Sequence, residues 1–266
     1  GGFSTKNLSI ASFDSNLINI LTIIFMFLSS VHFGLIYMVF ATRSLRPLNN
    51  PVLKFYVLTI LIASLLVALS LKMSSAGFTW GDSFMTGIFQ VVSFISTTGF
   101  AISDNNTWPL FACFIAVLIS IPCGMAGSTT GGVKSDRMFL IFKTIGQQIK
   151  NSIHPSSINQ VHVGNHIMGS NEIYPHFVYF GLYFITIAAS IVLTVLSGMD
   201  IQNAFASSVS FLSNVGPALE AQGTLGNYNA VPVFAKVVFI IDMFMGRVEI
   251  YPILAVVMMV FTGKKK

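Results

Sequence analysis

The sequence predicts an all-α polytopic membrane protein. Two complete span–re-entrant helix–span units surround one axis, preceded by the tail of another unit. Three observations carry that expectation. Apolar residues make up 54% of the 266 positions and charged residues only 9%, where a soluble domain carries about 25% charged. The apolar residues gather into runs of two lengths, some long enough to cross a bilayer and some too short. The chain also repeats itself.

Composition removes several other classes. A mean hydropathy of +0.78 and 25 phenylalanines exclude a self-solvating disordered chain. Cys113 and Cys123 share one apolar run, about 15 Å apart along a helix, beyond the reach of a disulfide. A net charge of +5 would suit nucleic acid if the basic residues formed a patch with interleaved aromatics. Instead they fall between apolar runs, as in the cytoplasmic loops of a membrane protein, and no nucleic-acid partner is expected. The opening residues Gly1, Gly2, Phe3 and Ser4 supply no basic n-region, so we expect no signal peptide and a chain that starts inside a longer protein.

Runs 17–41, 52–71, 108–123, 177–196 and 231–262 are the candidate spans, the third short and the last long for a crossing of ~20 residues. Runs 83–96 and 201–213 follow Asp82 and Asp200, good helix N-caps. Each would rise only about 20 Å, entering the membrane without crossing it. Arg43, Arg46, Lys54, Lys134, Arg137, Lys143, Lys150, Lys264, Lys265 and Lys266 all fall on one side of this arrangement. The other side keeps Lys6 and Lys72 against Asp14, Asp82, Asp104, Asp200 and Glu220. The basic side, with the C-terminus, is therefore expected in the cytoplasm.

The repeat is the sharpest signal. Val92, Ser93, Phe94, Ile95, Ser96, Thr97, Thr98 and Gly99 align with Val209, Ser210, Phe211, Leu212, Ser213, Asn214, Val215 and Gly216; downstream, the block from Asn106 to Ala112 aligns with that from Asn229 to Ala235. At the N-terminus, Gly2 and Phe3 echo Gly99 and Phe100. The run Met26, Phe27, Leu28, Ser29, Ser30, Val31, His32 resembles Met243, Phe244, Met245, Gly246, Arg247, Val248, Glu249. A re-entrant helix aims its carbonyl end, with partial negative charge, at mid-membrane. The Ser-Thr-Thr-Gly and Ser-Asn-Val-Gly segments after it can then turn carbonyls toward a common axis, where such oxygens replace the hydration shell of a cation. The competing description is of two ordinary Ser/Gly-rich helix ends.

Three further features invite roles. The cluster Gly124, Gly127, Ser128, Thr129, Thr130, Gly131 and Gly132 interrupts what should be an inward span. It reads either as a flexible loop able to obstruct a pore or as a helix end meeting the cytoplasm. Gly127 and Gly132 with Lys134 nearly match a phosphate-binding loop, but the lysine is one place late and no strand precedes it. Arg247 lies midway along the last apolar run, where a guanidinium is costly and marks a pathway; the competing role is a structural pair with Glu249 or Asp242. His154, His162, His166 and His176, with Glu172, suggest a metal enzyme at one extreme and solvated loop residues at the other.

Four blocks also resemble the membrane pore subunit of the Trk/Ktr/HKT potassium transporters, most of all its bacterial TrkH members. They are Ser96 to Ala101, Gly124 to Lys134, Ser213 to Pro217, and Gly246 to Tyr251. The resemblance implies M1–pore helix–filter–M2 units, four in one chain, around a single pore. Gly2, Gly99 and Gly216 would be the second, third and fourth filter glycines. Residues 1–50 would end the second repeat, 51–155 form the third with its gating loop, and 156–266 hold a cytoplasmic linker and the fourth. It further implies a K⁺-translocating, multi-pass protein of the bacterial inner membrane without a covalent cofactor. The ion would sit at the carbonyls of Thr97, Thr98, Asn214 and Val215, within a filter of Gly2, Ser96 to Gly99 and Ser213 to Gly216. The 124–132 loop and Arg247 would form the gate. The implied partners are the lipid bilayer, a second copy of the chain, and a cytosolic nucleotide-binding ring on the basic 134–150 face. Na⁺ selectivity, Na⁺ or H⁺ coupling, and channel or symport action are all compatible with these residues.

Overall fold

A computed structural model of the chain describes residues 2–6, 8–74, 77–154, 161–164, 166–218, 222–224 and 226–262. Glu220 and Lys264, Lys265 and Lys266, used above for orientation, lie outside the described residues. The fold is helical, and its helices follow one another in three groups. The first is the partial one: α1 (Asn16–Ser30) and α2 (Phe33–Thr42). The second is α3 (Pro51–Met73), α4 (Trp80–Ile95), α5 (Leu110–Ile119) and α6 (Ser135–Ile153). The third is α7 (Ser170–Leu196), α8 (Ile201–Leu212), α9 (Val233–Val248) and α10 (Ile250–Thr262).

Among the described residues, α3 and α7 are long and apolar enough to cross a membrane. Helix α3 starts where expected: the Asn50 side chain accepts from the amide of Val52 at 2.8 Å, and Pro51 takes the first position, where it has no amide to lose. Helix α7 starts earlier than its apolar run, because the Glu172 carboxylate accepts from the Gly169 amide and closes the first turn ahead of Pro175. The two re-entrant helices are present. Asp200 caps α8 as expected, accepting from Gln202 at 3.0 Å. Helix α4 begins three residues before the expected start, with Thr79 as its cap and Asp82 in the first turn.

The inward spans depart from expectation. Runs 17–41 and 231–262 are each broken in the middle, by 97° between α1 and α2 and by 111° between α9 and α10. The breaks fall within the aligned run that ends in His32 and Glu249, so the repeat had marked their position. In the 108–123 run, α5 ends at Ile119, and residues 120–134 form a non-helical insert. Its ends are joined by a short parallel ladder of β1 (Pro122–Cys123) and β2 (Val133–Lys134). Residues 135–153, expected as loop, are helix α6. The segment before α7, expected as irregular, is a hairpin of β3 (Val161–Val163) and β4 (His166–Met168).

Each complete unit wraps its own core around its re-entrant helix. Tyr56, Val67 and Leu71 of α3 close on Phe89, Val91 and Ile95 of α4, and Tyr183 and Ile187 of α7 close on Val209 and Leu212 of α8. Gly87 lets α4 lie directly on α3, since a Cβ there would sit 2.9 Å from the Ser64 carbonyl oxygen and 3.2 Å from the Ala68 methyl. Gly87→Ala should therefore destabilise the protein by about 1–3 kcal/mol, the usual cost of overpacking. Gly81→Ala, which meets only the Thr79 hydroxyl at 3.9 Å, should be nearly neutral. Thermal unfolding of the two variants in detergent checks the contrast.

Candidate functional site

The two segments expected to form the filter, 96–99 and 213–216, have the same backbone. Ser96 and Ser213 end their helices in right-handed conformation. Thr97 (φ +55°) and Asn214 (φ +62°) then turn left-handed, and so do Gly99 (φ +77°) and Gly216 (φ +106°). A threonine and an asparagine held at positive φ are unfavourable individually. The same brace holds both. The Thr98 amide donates to the Ser93 carbonyl at 3.0 Å, and the Val215 amide to that of Ser210 at 2.9 Å. The hydroxyls of Ser93 and Ser210 donate to the Phe100 and Pro217 carbonyls at 2.7 and 2.6 Å. Neither serine was assigned a role from sequence; their identity in the two copies was the available signal.

The segments also meet. The Gly2 amide donates to the Thr98 carbonyl at 2.5 Å. Gly2 (φ +67°) and Gly99 are packed so closely that a Cβ on Gly99 would lie 3.0 Å from the Gly2 nitrogen and 3.0 Å from Pro217 Cδ, and would collide with the Val215 carbonyl oxygen. Gly2, Ser96, Thr97, Thr98, Asn214 and Gly216 line one cavity of about 820 Å³. Gly99 and Val215 are buried in its wall. Ser213 is fully buried behind it, its hydroxyl 2.7 Å from that of Tyr183, a partner with no sequence signal.

The outer loops are locked to each other beside this cavity. Buried Asn105 accepts from the Thr224 amide at 3.0 Å and donates from its side chain to the Ala218 carbonyl at 2.8 Å, while the Thr224 hydroxyl donates to the Ser103 carbonyl at 2.8 Å. The Tyr228 hydroxyl donates to the Gly216 carbonyl at 2.8 Å.

Beneath lies the 124–132 insert, and it is pinned rather than loose. Its amides donate to carbonyls left unpaired where α1 ends: Met125 to Ser30 at 2.9 Å and Thr129 to Ser29 at 3.3 Å, and in return the Phe33 amide donates to the Gly127 carbonyl at 3.2 Å. Asp136 of α6 accepts from the Ala126 amide at 2.6 Å, and Ser128 donates to the Met125 carbonyl at 2.6 Å. The Lys134 ammonium donates to the Thr130 carbonyl. The Gly131 amide reaches up to the Thr97 hydroxyl at 3.3 Å, a direct link between insert and filter segment. The glycines are there because neighbours leave no room. A Cβ on Gly124 would lie 2.6 Å from the Ser30 carbonyl oxygen, on Gly127 2.9 Å from the His32 ring, on Gly131 2.8 Å from the Ser213 carbonyl oxygen, and on Gly132 2.5 Å from Cys123 Sγ. Of the insert, Thr129 is the residue that reaches the cavity lining.

Arg247 reaches the same lining, and its guanidinium donates to the Thr129 carbonyl. Its competing partners are engaged elsewhere. Glu249 pairs with Arg137 of α6 at 2.7 Å, and Arg137 also stacks 3.9 Å over the Tyr179 ring. Asp242, 3% exposed, accepts from Ser190. The histidines do not converge. His154 follows the end of α6, His162 on β3 and His166 on β4 occupy positions not paired with each other, and His176 is on α7. Glu172 serves as the cap of α7. Among the described residues no group of three His, Cys, Asp or Glu could hold a metal ion, and Cys113 and Cys123 are both free thiols.

Comparison with known proteins bears on the family and the overall fold. The TrkH family, described as cation transport protein, matches residues 1–263. The Trk system potassium uptake protein TrkH of Escherichia coli K12 is 31% identical over 259 residues, covering 96% of this chain and 52% of that protein. The related TrkG of the same organism is 30% identical over 258 residues, again 96% of this chain and 52% of that protein. The crystal structure of the potassium transporter TrkH from Vibrio parahaemolyticus superposes with a TM-score of 0.89 at 29% identity, covering 96% of this chain and 55% of that one. The chain spans about half the length of the curated relatives it matches. These relatives are transport proteins, which sets the metal-enzyme alternative aside, and the chain is a multi-pass membrane protein belonging to the TrkH family of cation transport proteins.

Proposed function

We propose that this chain forms the C-terminal half of a K⁺-translocating pore subunit in a bacterial inner membrane, with its C-terminus in the cytoplasm. The observation that carries the reading is the pair of filter segments with one conformation and one serine brace, both on a single cavity with Arg247 at its edge. Carbonyls of Thr97, Thr98, Asn214 and Val215 coordinate the ion as it sheds water. The ends of α4 and α8 aim partial negative charge at the same place. Residues 1–50, 51–155 and 156–266 are the tail of the second repeat, the third repeat, and a linker with the fourth. K⁺ rather than Na⁺ is the proposed cargo because the relatives are named potassium uptake proteins. A second copy of the chain and a cytosolic nucleotide-binding subunit are the proposed partners.

The gate is the 124–132 insert together with Arg247. With the guanidinium bonded to the Thr129 carbonyl, insert and arginine close the way out of the cavity by bulk and by positive charge. Opening requires that bond and the Gly131–Thr97 contact to be given up together.

The test is K⁺-dependent growth of a host stripped of K⁺ uptake, with the chain expressed in the longest reading frame that carries it. Gly99→Ser places a Cβ against the Val215 carbonyl at a left-handed φ. It should raise the K⁺ requirement about tenfold or more, a loss of about 1.4 kcal/mol in ion binding, or admit Na⁺; Gly216→Ser should do likewise. Rescue indifferent to both serines refutes the filter assignment. Arg247→Ala removes the charge and the bond to Thr129, so K⁺ flux into proteoliposomes should rise several-fold. Equal or lower flux at normal expression removes Arg247 from the gate.

A further inference from the structure

A groove unrelated to the ion cavity runs between the two complete units. It encloses about 430 Å³ among α3, α5, α6 and α7. Phe55 and Leu66 of α3, Leu118 of α5, Pro122, Phe142 of α6 and Phe184 of α7 are among the residues that line it. From Phe55 to Leu66 it follows α3 for about 16 Å, the shape of an extended acyl chain. Exposed Lys54 precedes Phe55, the lining residue nearest the start of α3.

Helix α6 extends the groove outward. Met138 and Phe142 lie in the groove, and Ile145, Ile149 and Ile153 continue the same helical stripe. From Phe142 onward these stripe residues are 45–65% exposed. Lys143 and Lys150, both exposed, flank the stripe one residue beyond Phe142 and Ile149. Lys143 gives one of its three protons to the His162 carbonyl. The one carboxylate of α6, Asp136, is occupied by the Ala126 amide. An apolar stripe bordered by lysines without carboxylates matches a membrane interface carrying negative charge. It does not suit a two-fold contact with another copy, which would bring the same lysines together.

We propose that the groove and α6 form a binding site for an anionic phospholipid, with one acyl chain in the groove and the phosphate at Lys143 and Lys150. Pro122, in the wall of the groove, belongs to the ladder that closes the 124–132 insert, so the lipid chain buttresses the base of that insert. The inference rests on the membrane placement of the chain and not on the ion pathway, and its test reads binding rather than transport.

The purified full-length protein, in detergent, is titrated with phosphatidylglycerol and with phosphatidylcholine of the same acyl composition, and bound lipid is counted by native mass spectrometry. Phosphatidylglycerol should bind more tightly, with the preference shrinking as salt rises. Each lysine should contribute about fivefold, so Lys143→Gln with Lys150→Gln should reduce the preference by about twenty-five-fold. Leu118→Trp, which fills the groove, should weaken both lipids; the charge-only variant carries the test should the tryptophan disturb folding. Equal binding of the two lipids, or a preference unchanged in the lysine variant, overturns the proposal. So does a lipid-independent dimer that protects 138–153 from hydrogen exchange, which would make a second copy the occupant.

Discussion

Where the helices of this protein are interrupted beside the cavity, the freed backbone groups are paired with one another. In hydrocarbon an unpaired backbone group costs several kcal/mol, so irregular chain survives there only when other protein satisfies it. Three helical runs are interrupted, at residues 31–32, 120–134 and 249, and two short helices end at Ile95 and Leu212. The exposed groups of one discontinuity are the partners of another. Ser29 and Ser30 carbonyls, freed by the end of α1, receive amides of the insert; Thr97, at the end of α4, receives Gly131; Thr129 receives Arg247 from the end of α9. Remove one break and its partners are left unpaired.

That mutual dependence explains the concentration of small residues. Gly246 is one example: a Cβ there would run into the Leu212 carbonyl and lie 2.7 Å from the Asn214 side chain. Asn214 in turn bonds to the Met243 carbonyl at 3.1 Å. Inner helix and filter segment thus touch backbone to backbone, and glycine is the residue that permits it. The charged groups follow the same logic. Arg137, Glu249 and Tyr179 join α6, the break between α9 and α10, and α7.

Much of this was legible in the residues, and the reasons differ from element to element. Helices α3 and α8 could be read because a cap residue and an apolar run coincide. The matching conformation of residues 96–99 and 213–216 could be read because two copies of one motif are present to compare. The bends were not foreseen, since residues 17–41 and 231–262 are apolar throughout and hydropathy carries no record of direction. Their location was nonetheless written in the match between Ser30, Val31, His32 and Arg247, Val248, Glu249. Helix α6 was hidden by its polar face, which looked like loop. The Asn105–Thr224 lock and the Tyr183–Ser213 pair left no trace, because each joins residues far apart in sequence, and Ser96, the match of Ser213, bonds within its own segment instead.

The two-rung ladder between Pro122–Cys123 and Val133–Lys134 has a consequence for how the insert can move. A segment hinged at one end swings as an arm. A segment whose two ends are stapled side by side can only buckle, changing shape within a fixed perimeter. In the proposed gate the ladder would make the insert a noose of constant circumference, and passage past it would come from rearranging the residues inside it. Such a motion would be short in travel and would displace no whole helix.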